Sequence, residues 1–297
     1  MVKKYYEGLG HESPVYGVSL YKNAQVLSAG GEGWIVAWSL NEPANGKLIA
    51  KVDTSVYSLF YDVETDIIYA GDRHGVLHSI LPNGQTLDKM AHPGGVFGIF
   101  KSDQNIYTFG NNGTLTKWKI PEMLPVESVQ ICHASIRSFV VDKQNNDMYF
   151  GASDGKIYCV DMLFLIVKFE FQAHKGTVFS LEMNDAQQLI SGGKDALLKV
   201  WNFNKFEQPA EEINAHWFAI YAMKQNPCLP IIASASRDKN IRLWQSESLA
   251  PILTIDLQAF AGHSRSVNNL IWTKDGKMLI TVGDDKKIIL WQIESHL

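Results

Sequence analysis

Cysteine is scarce in this chain. Cys132, Cys159 and Cys228 are the only three in 297 residues. An odd, sparse set of thiols excludes a disulfide framework and suits a reducing compartment. Cross-links are also not needed, because a compact chain of this length buries about 75% of the surface it exposes when unfolded. No block of Lys and Arg appears, and the net charge is -4. That leaves no electrostatic footprint for nucleic acid. Long apolar runs are missing too. The most apolar stretch, residues 162–167, ends at Lys168 and Glu170 and is too short to span a bilayer. Residues 1–7 lack the apolar core of a secretory signal. These absences lead us to expect a soluble, cytoplasmic protein that uses neither membrane nor nucleic acid. No segment carries a long helical period, and neither a Gly-x-Ser-x-Gly elbow nor a phosphate-binding glycine loop is present.

What the chain does have is an internal repeat, the feature to seek before any other. His174-Lys-Gly-Thr-Val178 resembles His263-Ser-Arg-Ser-Val267, His11-Glu-Ser-Pro-Val15, His92-Pro-Gly-Gly-Val96 and His216-Trp-Phe-Ala-Ile220. His133-Ala-Ser-Ile136 is one residue shorter, and Asp53-Thr-Ser-Val56 fills the remaining place without a His. The units start at 11, 53, 92, 133, 174, 216 and 263, a period near 41. Most end on Trp: Trp38, Trp118, Trp201, Trp244 and Trp291, with Ile80 and Val160 in units two and four. Within unit five, Val178–Met183 alternates as a strand does, 184–186 reads as a turn, 188–191 as a second strand, 192–195 as another turn and 197–201 as a third strand. A fourth, less regular strand precedes the next unit.

At these residues the sequence resembles the WD-repeat family of β-propellers, along essentially its whole length. The resemblance implies an all-β fold: one unit over 1–297, a seven-bladed propeller of four-stranded antiparallel blades around a central channel. It also implies a structural tetrad in each blade, in which a turn Asp accepts from His and a hydroxyl bridges His to the Trp indole. His174, Ser191, Asp195 and Trp201 match that tetrad, as do His216, Ser234, Asp238 and Trp244, and His263, Thr281, Asp285 and Trp291. Unit one has Glu32 for Asp and unit three Asn112. Unit four keeps His133 and Asp154 but has Phe150 and Val160, and unit two has Ala70, His74 and Ile80. The first half of the ring is therefore expected to lean more on apolar packing. Unit seven lacks a fourth strand, and residues 2–9 are expected to supply it and close the ring.

The recurring histidines and aspartates thus read as frame, not as metal ligands or acid–base groups. His74 and His78 do not form a zinc site, Cys132 beside His133 is not a catalytic pair, and no cofactor is expected. The resemblance places ligand contacts at the residue after each unit's first Val or Ile. Here these are Tyr16, Tyr57, Phe97, Arg137, Phe179, Tyr221 and Asn268. A second ring is the residue before the turn Asp, where Arg73, Lys194 and Arg237 carry positive charge. Large rigid rings and Arg together suit a peptide segment. The expected function is a non-catalytic scaffold, monomeric on its own, that binds a partner protein or peptide at the top mouth of the channel. The alternative is an enzyme acting on a small molecule in the channel, which the shortage of carboxylates at that mouth disfavours.

Overall fold

The structure, a computed structural model, describes residues 2–22, 24–41, 46–203 and 206–294. Met1 and residues 295–297 of the expected unit lie outside the described residues. The chain begins with β1 (Val2–Gly8). Blade one follows as β2 (Val15–Tyr21), β3 (Gln25–Gly30), β4 (Trp34–Ser39) and β5 (Lys47–Lys51). Blade two is β6 (Val56–Asp62), β7 (Ile67–Asp72), β8 (Val76–Ile80) and β9 (Thr86–Met90). Blade three is β10 (Val96–Ser102), β11 (Asn105–Gly110), β12 (Thr114–Lys119) and β13 (Leu124–Gln130). Blade four is β14 (Ile136–Asp142), β15 (Asp147–Ala152), β16 (Lys156–Asp161) and β17 (Val167–Gln172). Blade five is β18 (Val178–Met183), β19 (Leu189–Gly193), β20 (Leu197–Trp201) and β21 (Glu211–Asn214). Blade six is β22 (Ile220–Gln225), β23 (Ile231–Ser236), β24 (Ile241–Gln245) and β25 (Pro251–Ile255). Blade seven has β26 (Val267–Trp272), β27 (Met278–Gly283) and β28 (Ile288–Ile293), and takes β1 as its fourth strand. The described residues thus form seven four-stranded antiparallel sheets, a seven-bladed β-propeller. The helix among them is a single turn, Leu257–Phe260, and none is long and apolar enough to cross a membrane.

The first strands of successive blades pack side by side, and β26 returns to β2, so they line the axis. Each second strand is sandwiched between neighbouring blades. That is why β7, β15 and β23 are buried at every residue, while the outer β9 is exposed at every residue. The core is accordingly divided into seven apolar clusters, one per junction between blades. The last junction is closed by β1, which pairs antiparallel with β28 from Val2 opposite Ile293 to Gly8 opposite Ile288. Gly8 lies so close to Trp38 of blade one that a Cβ there would clash with the indole.

Five blades contain a continuous polar chain. In blade six the Trp244 indole N–H donates to Ser234 Oγ at 2.9 Å, and His216 Nε2 lies 2.7 Å from the same oxygen. Asp238 can only accept, so Nε2 of the neutral ring is left to take the hydroxyl proton while the hydroxyl oxygen takes that of the indole. Nδ1 then carries the ring proton and donates to Asp238 at 2.9 Å. Blades five and seven repeat this with Trp201, Ser191, His174 and Asp195, and with Trp291, Thr281, His263 and Asp285. Burial alone would raise the Asp238 carboxyl; hydrogen bonds from His216 and the backbone N–H groups of Trp217 and Asn240 outweigh it and hold the carboxyl below its usual value. Each neutral link contributes about 0.5–1.5 kcal/mol net.

The expectation for the first half of the ring is corrected in blades one and three. Glu32 reaches His11, whose Nε2 meets Ser28 at 2.7 Å, and Ser28 takes the Trp38 indole N–H at 2.7 Å. In blade three, Thr108 joins His92 and Trp118 at 2.8 Å each, and His92 Nδ1 lies 3.0 Å from Asn112 Oδ1. A longer acid and an uncharged amide both supply an acceptor in the same place.

Blades two and four depart further. In blade four Cys132, not His133, occupies the histidine position: it is buried and its N–H bonds the Gly113 carbonyl, as the His174 N–H bonds that of Gly155. His133 is exposed and has no part in the frame. Asp154 instead accepts from the Tyr158 hydroxyl at 2.7 Å. Burial pushes the Cys132 thiol up to about 11, which leaves it a poor nucleophile. In blade two the position belongs to buried Val52, not Asp53. His74 is exposed, and His78 bonds Asp88 at 2.8 Å and Asp72 at 3.3 Å.

His92 makes blade three sensitive to acid. Burial pulls its pKa below the ordinary value, and its partner is an amide that carries no compensating charge. The unfolded chain therefore takes up this proton first as pH falls below about 6.5, so stability is full above that pH and declines through the slightly acid range. His216, which burial also holds below its ordinary value despite Asp238, adds to the loss, and urea midpoints at pH 7.5 and 5.5 should show it. Asn112→Asp, which restores a carboxylate beside the ring, should reduce it; an unchanged pH dependence in that variant would contradict this account.

Candidate functional site

The residue after each leading Val or Ile has a common backbone geometry. Pairing between first and second strands shifts register across Tyr16, Tyr57, Phe97, Arg137, Phe179, Tyr221 and Asn268, in every blade. Each is an unpaired bulge residue, and a bulge re-aims its side chain. All seven are half-buried.

Six of these side chains are linked around the axis. The Tyr16 and Tyr57 rings meet edge to face with centroids 5.4 Å apart, and Tyr57 and Phe97 are 5.7 Å apart. The Arg137 guanidinium lies over Phe97 at 3.9 Å and 5.7 Å from the centre of Phe179. Phe179 and Tyr221 meet edge to face at 5.1 Å. Residues from six successive blades can touch in this way only if they face the central channel. Asn268 faces the other junction, donating to the Val15 carbonyl at 3.0 Å and to Asp284 at 2.8 Å.

The second ring is set by one recurring hydrogen bond. The backbone N–H groups of Gly31, Arg73, Asn111, Ser153, Lys194, Arg237 and Asp284 donate, in that order, to the carbonyls of Pro14, Ser55, Gly95, Ser135, Thr177, Ala219 and Ser266. Each acceptor directly precedes a leading Val or Ile, so the second ring is tied to the same mouth. Arg73, Lys194 and Arg237 are exposed there. The Arg237 guanidinium lies 5.8 Å from the centre of the Phe218 ring.

Two residues missed by sequence reasoning extend this surface. Trp217 is 80% exposed and Phe218 54% exposed, in the loop that leads into β22. Their signal was legible: they follow His216 in a connection, where Lys175 and Ser264 stand in the neighbouring repeats and no strand alternation turns either ring inward.

The mouth is dominated by donors. Burial pulls the Arg137 guanidinium somewhat below its usual value, against the Tyr57 and Tyr221 phenols, yet an Arg stays charged at neutral pH. Burial, with Asp284 nearby, raises the Tyr16 and Tyr221 phenols, which remain protonated. No group of three or more His, Cys, Asp or Glu side chains arranged to hold a metal occurs among the described residues. Chemically, the site can stack flat groups, cover apolar side chains and donate hydrogen bonds.

Comparison with known proteins agrees with this architecture. The family model described as "WD domain, G-beta repeat" matches residues 166–202, 207–245 and 255–292. These are the repeats with a full His-hydroxyl-Asp-Trp chain. "Ubiquitin fusion degradation protein 3 homolog" of Caenorhabditis elegans is 28% identical over 166 residues, 54% of this chain and 17% of that protein. "Protein transport protein sec13" of Neurospora crassa is 28% identical over 119 residues, 36% of each chain. "Protein HIR1" of Eremothecium gossypii is 23% identical over 135 residues, 36% of this chain and 16% of that protein. The matched region thus spans well under two thirds of the length of these relatives. The crystal structure of the WD40 beta propeller domain of Doa1 superimposes with a TM-score of 0.86 and 20% identity, covering 99% of this chain and 98% of that one. At that identity the likeness is one of fold.

Proposed function

We propose that this seven-bladed β-propeller, three of whose repeats match the WD-domain model, is a non-catalytic scaffold of the kind typical of WD-repeat proteins, and that its partner docks a short segment over the channel mouth. The observation that carries this reading is the unbroken run of bulge side chains from Tyr16 to Tyr221. Tyr16, Tyr57, Phe179 and Tyr221 lie outside the seven apolar clusters between blades, while Phe97 also packs against the cluster of blades three and four. Half-buried aromatics also anchor partners with little loss of side-chain freedom. Trp217 and Phe218 widen the same surface. Its three cysteines are all free thiols, which suits a reducing compartment such as the cytoplasm.

The decisive experiment is affinity capture from the native host, comparing the wild-type chain with a Phe179→Ala/Tyr221→Ala double variant. Each ring is expected to contribute about 2 kcal/mol as an anchor, so losing one should weaken the specific partner about thirtyfold and losing both by several hundredfold or more, that is, about 4 kcal/mol if additive. The variant should keep a cooperative melt within about 5 °C of the wild type. Undiminished capture of every partner by the double variant would sink this reading.

A further inference from the structure

The chain has 5 arginines against 22 lysines, and the arginines are not spread evenly. Arg73 and Arg237 stand in the second ring, Arg137 in the first, at the start of β14, and Arg265 in the loop that leads into β26; Arg242, on β24, belongs to neither ring. Eight of the lysines pair with acids among the described residues, including Lys22 with Asp66, Lys101 with Asp62 and Glu64, Lys168 with Asp147, and Lys199 with Glu212. By contrast, none of the four arginines on the mouth face has a carboxylate within ion-pair distance or a side-chain hydrogen bond among the described residues. The carboxylates of that face are largely committed: Asp195, Asp238 and Asp285 to histidines, Asp154 to Tyr158, and Asp284 to Asn268.

Arg137 is the extreme case. Its guanidinium stacks on Phe97 and sits near Phe179, which holds the fork in place and leaves its N–H edges to the channel. A planar fork held by stacking and lacking an acceptor is preorganised for a bidentate oxyanion. The hydroxyls of Tyr16, Tyr57 and Tyr221 also have no hydrogen-bond partner among the described residues, so the mouth offers donors on several sides. Resting on the reading of the mouth as the docking site, we propose that the segment it takes is an acidic peptide. One carboxylate side chain enters the channel mouth onto Arg137, with Arg237 beside it, and an apolar neighbour covers Trp217 and Phe218. A nucleic-acid strand fits less well. Its affinity comes from many phosphate contacts, whereas here the cations are few and the net charge is -4.

The test is selection of a random 12-residue peptide display library on the full chain, followed by anisotropy titrations with the selected peptide and its Asp→Asn or Glu→Gln counterpart. Acidic residues should be enriched at one position next to an apolar one. The amide counterpart should bind at least tenfold more weakly. Arg137→Gln should weaken the acidic peptide about tenfold and the amide peptide less than twofold. Arg237→Gln, at an exposed position, should weaken the acidic peptide about threefold, and raising salt from 50 to 300 mM should do the same. These shifts follow from a charge-assisted pair contributing tenfold per about 1.4 kcal/mol.

Selected peptides without acidic enrichment that still depend on Phe179 and Tyr221 would overturn the acidic partner and leave the docking reading standing. Peptides indifferent to both the arginine and the aromatic variants would overturn both. A library that enriches nothing, or an Arg137-dependent oligoribonucleotide bound in place of any acidic peptide, would also overturn the proposal.

Discussion

Deleting residues 1–9 should open the ring, with a loss of about 5 kcal/mol or more and a fall in melting temperature of about 10 °C or more. Three effects add. The antiparallel ladder between β1 and β28, from Val2 opposite Ile293 to Gly8 opposite Ile288, is lost. The buried Val2 side chain leaves the cluster that holds Ile289, Trp291 and Ile293. The unpaired edge of β28 then becomes a template for a second chain. Size-exclusion chromatography with light scattering should therefore show oligomers or aggregates, and the thermal transition should lose cooperativity. A truncated chain that stays monomeric with an unchanged melt would show that closure comes from elsewhere.

Trp244→Ala should destabilise the chain by about 3–5 kcal/mol. The indole is fully buried at the junction of blades five and six, among Ile190, Leu198, Ile220 and Ile232, so its removal leaves a cavity that β-sheet walls cannot collapse into. The substitution also strands Ser234, which loses the indole N–H as a donor. Ser234→Ala should cost less, about 1–3 kcal/mol, by leaving the indole N–H and His216 Nε2 without partners. The double variant should cost less than the sum of the two, because both remove the same link. Additive values in denaturant titrations would mean that the chain of bonds is not a coupled unit.

Most of the architecture is legible in the sequence. A blade cannot bury its own faces, so every blade meets the same neighbours and the same residues recur near a period of 41. The period located the blades, and the missing fourth strand of unit seven pointed to the N-terminal segment that pairs there. Residue type misled where it stood in for position. His133 looked like the frame histidine of unit four, yet the backbone bond to Gly113 places Cys132 in that position. Asp53 marked unit two, and Val52 fills the position. Glu32 and Asn112 looked like weakened tetrads, but an acceptor at the right distance is all that His11 and His92 require.

The candidate site was legible only as an alignment column. Its side chains are about 40 residues apart, so nothing local could show that Tyr57 reaches Phe97 or that Phe179 meets Tyr221. Those contacts come from ring closure and from a bulge repeated in seven blades, which turns one side chain per blade toward the axis. The lack of any acid beside Arg137 is likewise a property of the assembled surface. By itself, the sequence determined the strand pattern, the number of blades and the polar links of blades five to seven, because these rest on residues at short, repeating separations. Only the tertiary structure decided which side chains share the channel mouth and which charges are left without a partner, because both depend on bringing residues from seven distant segments around one axis.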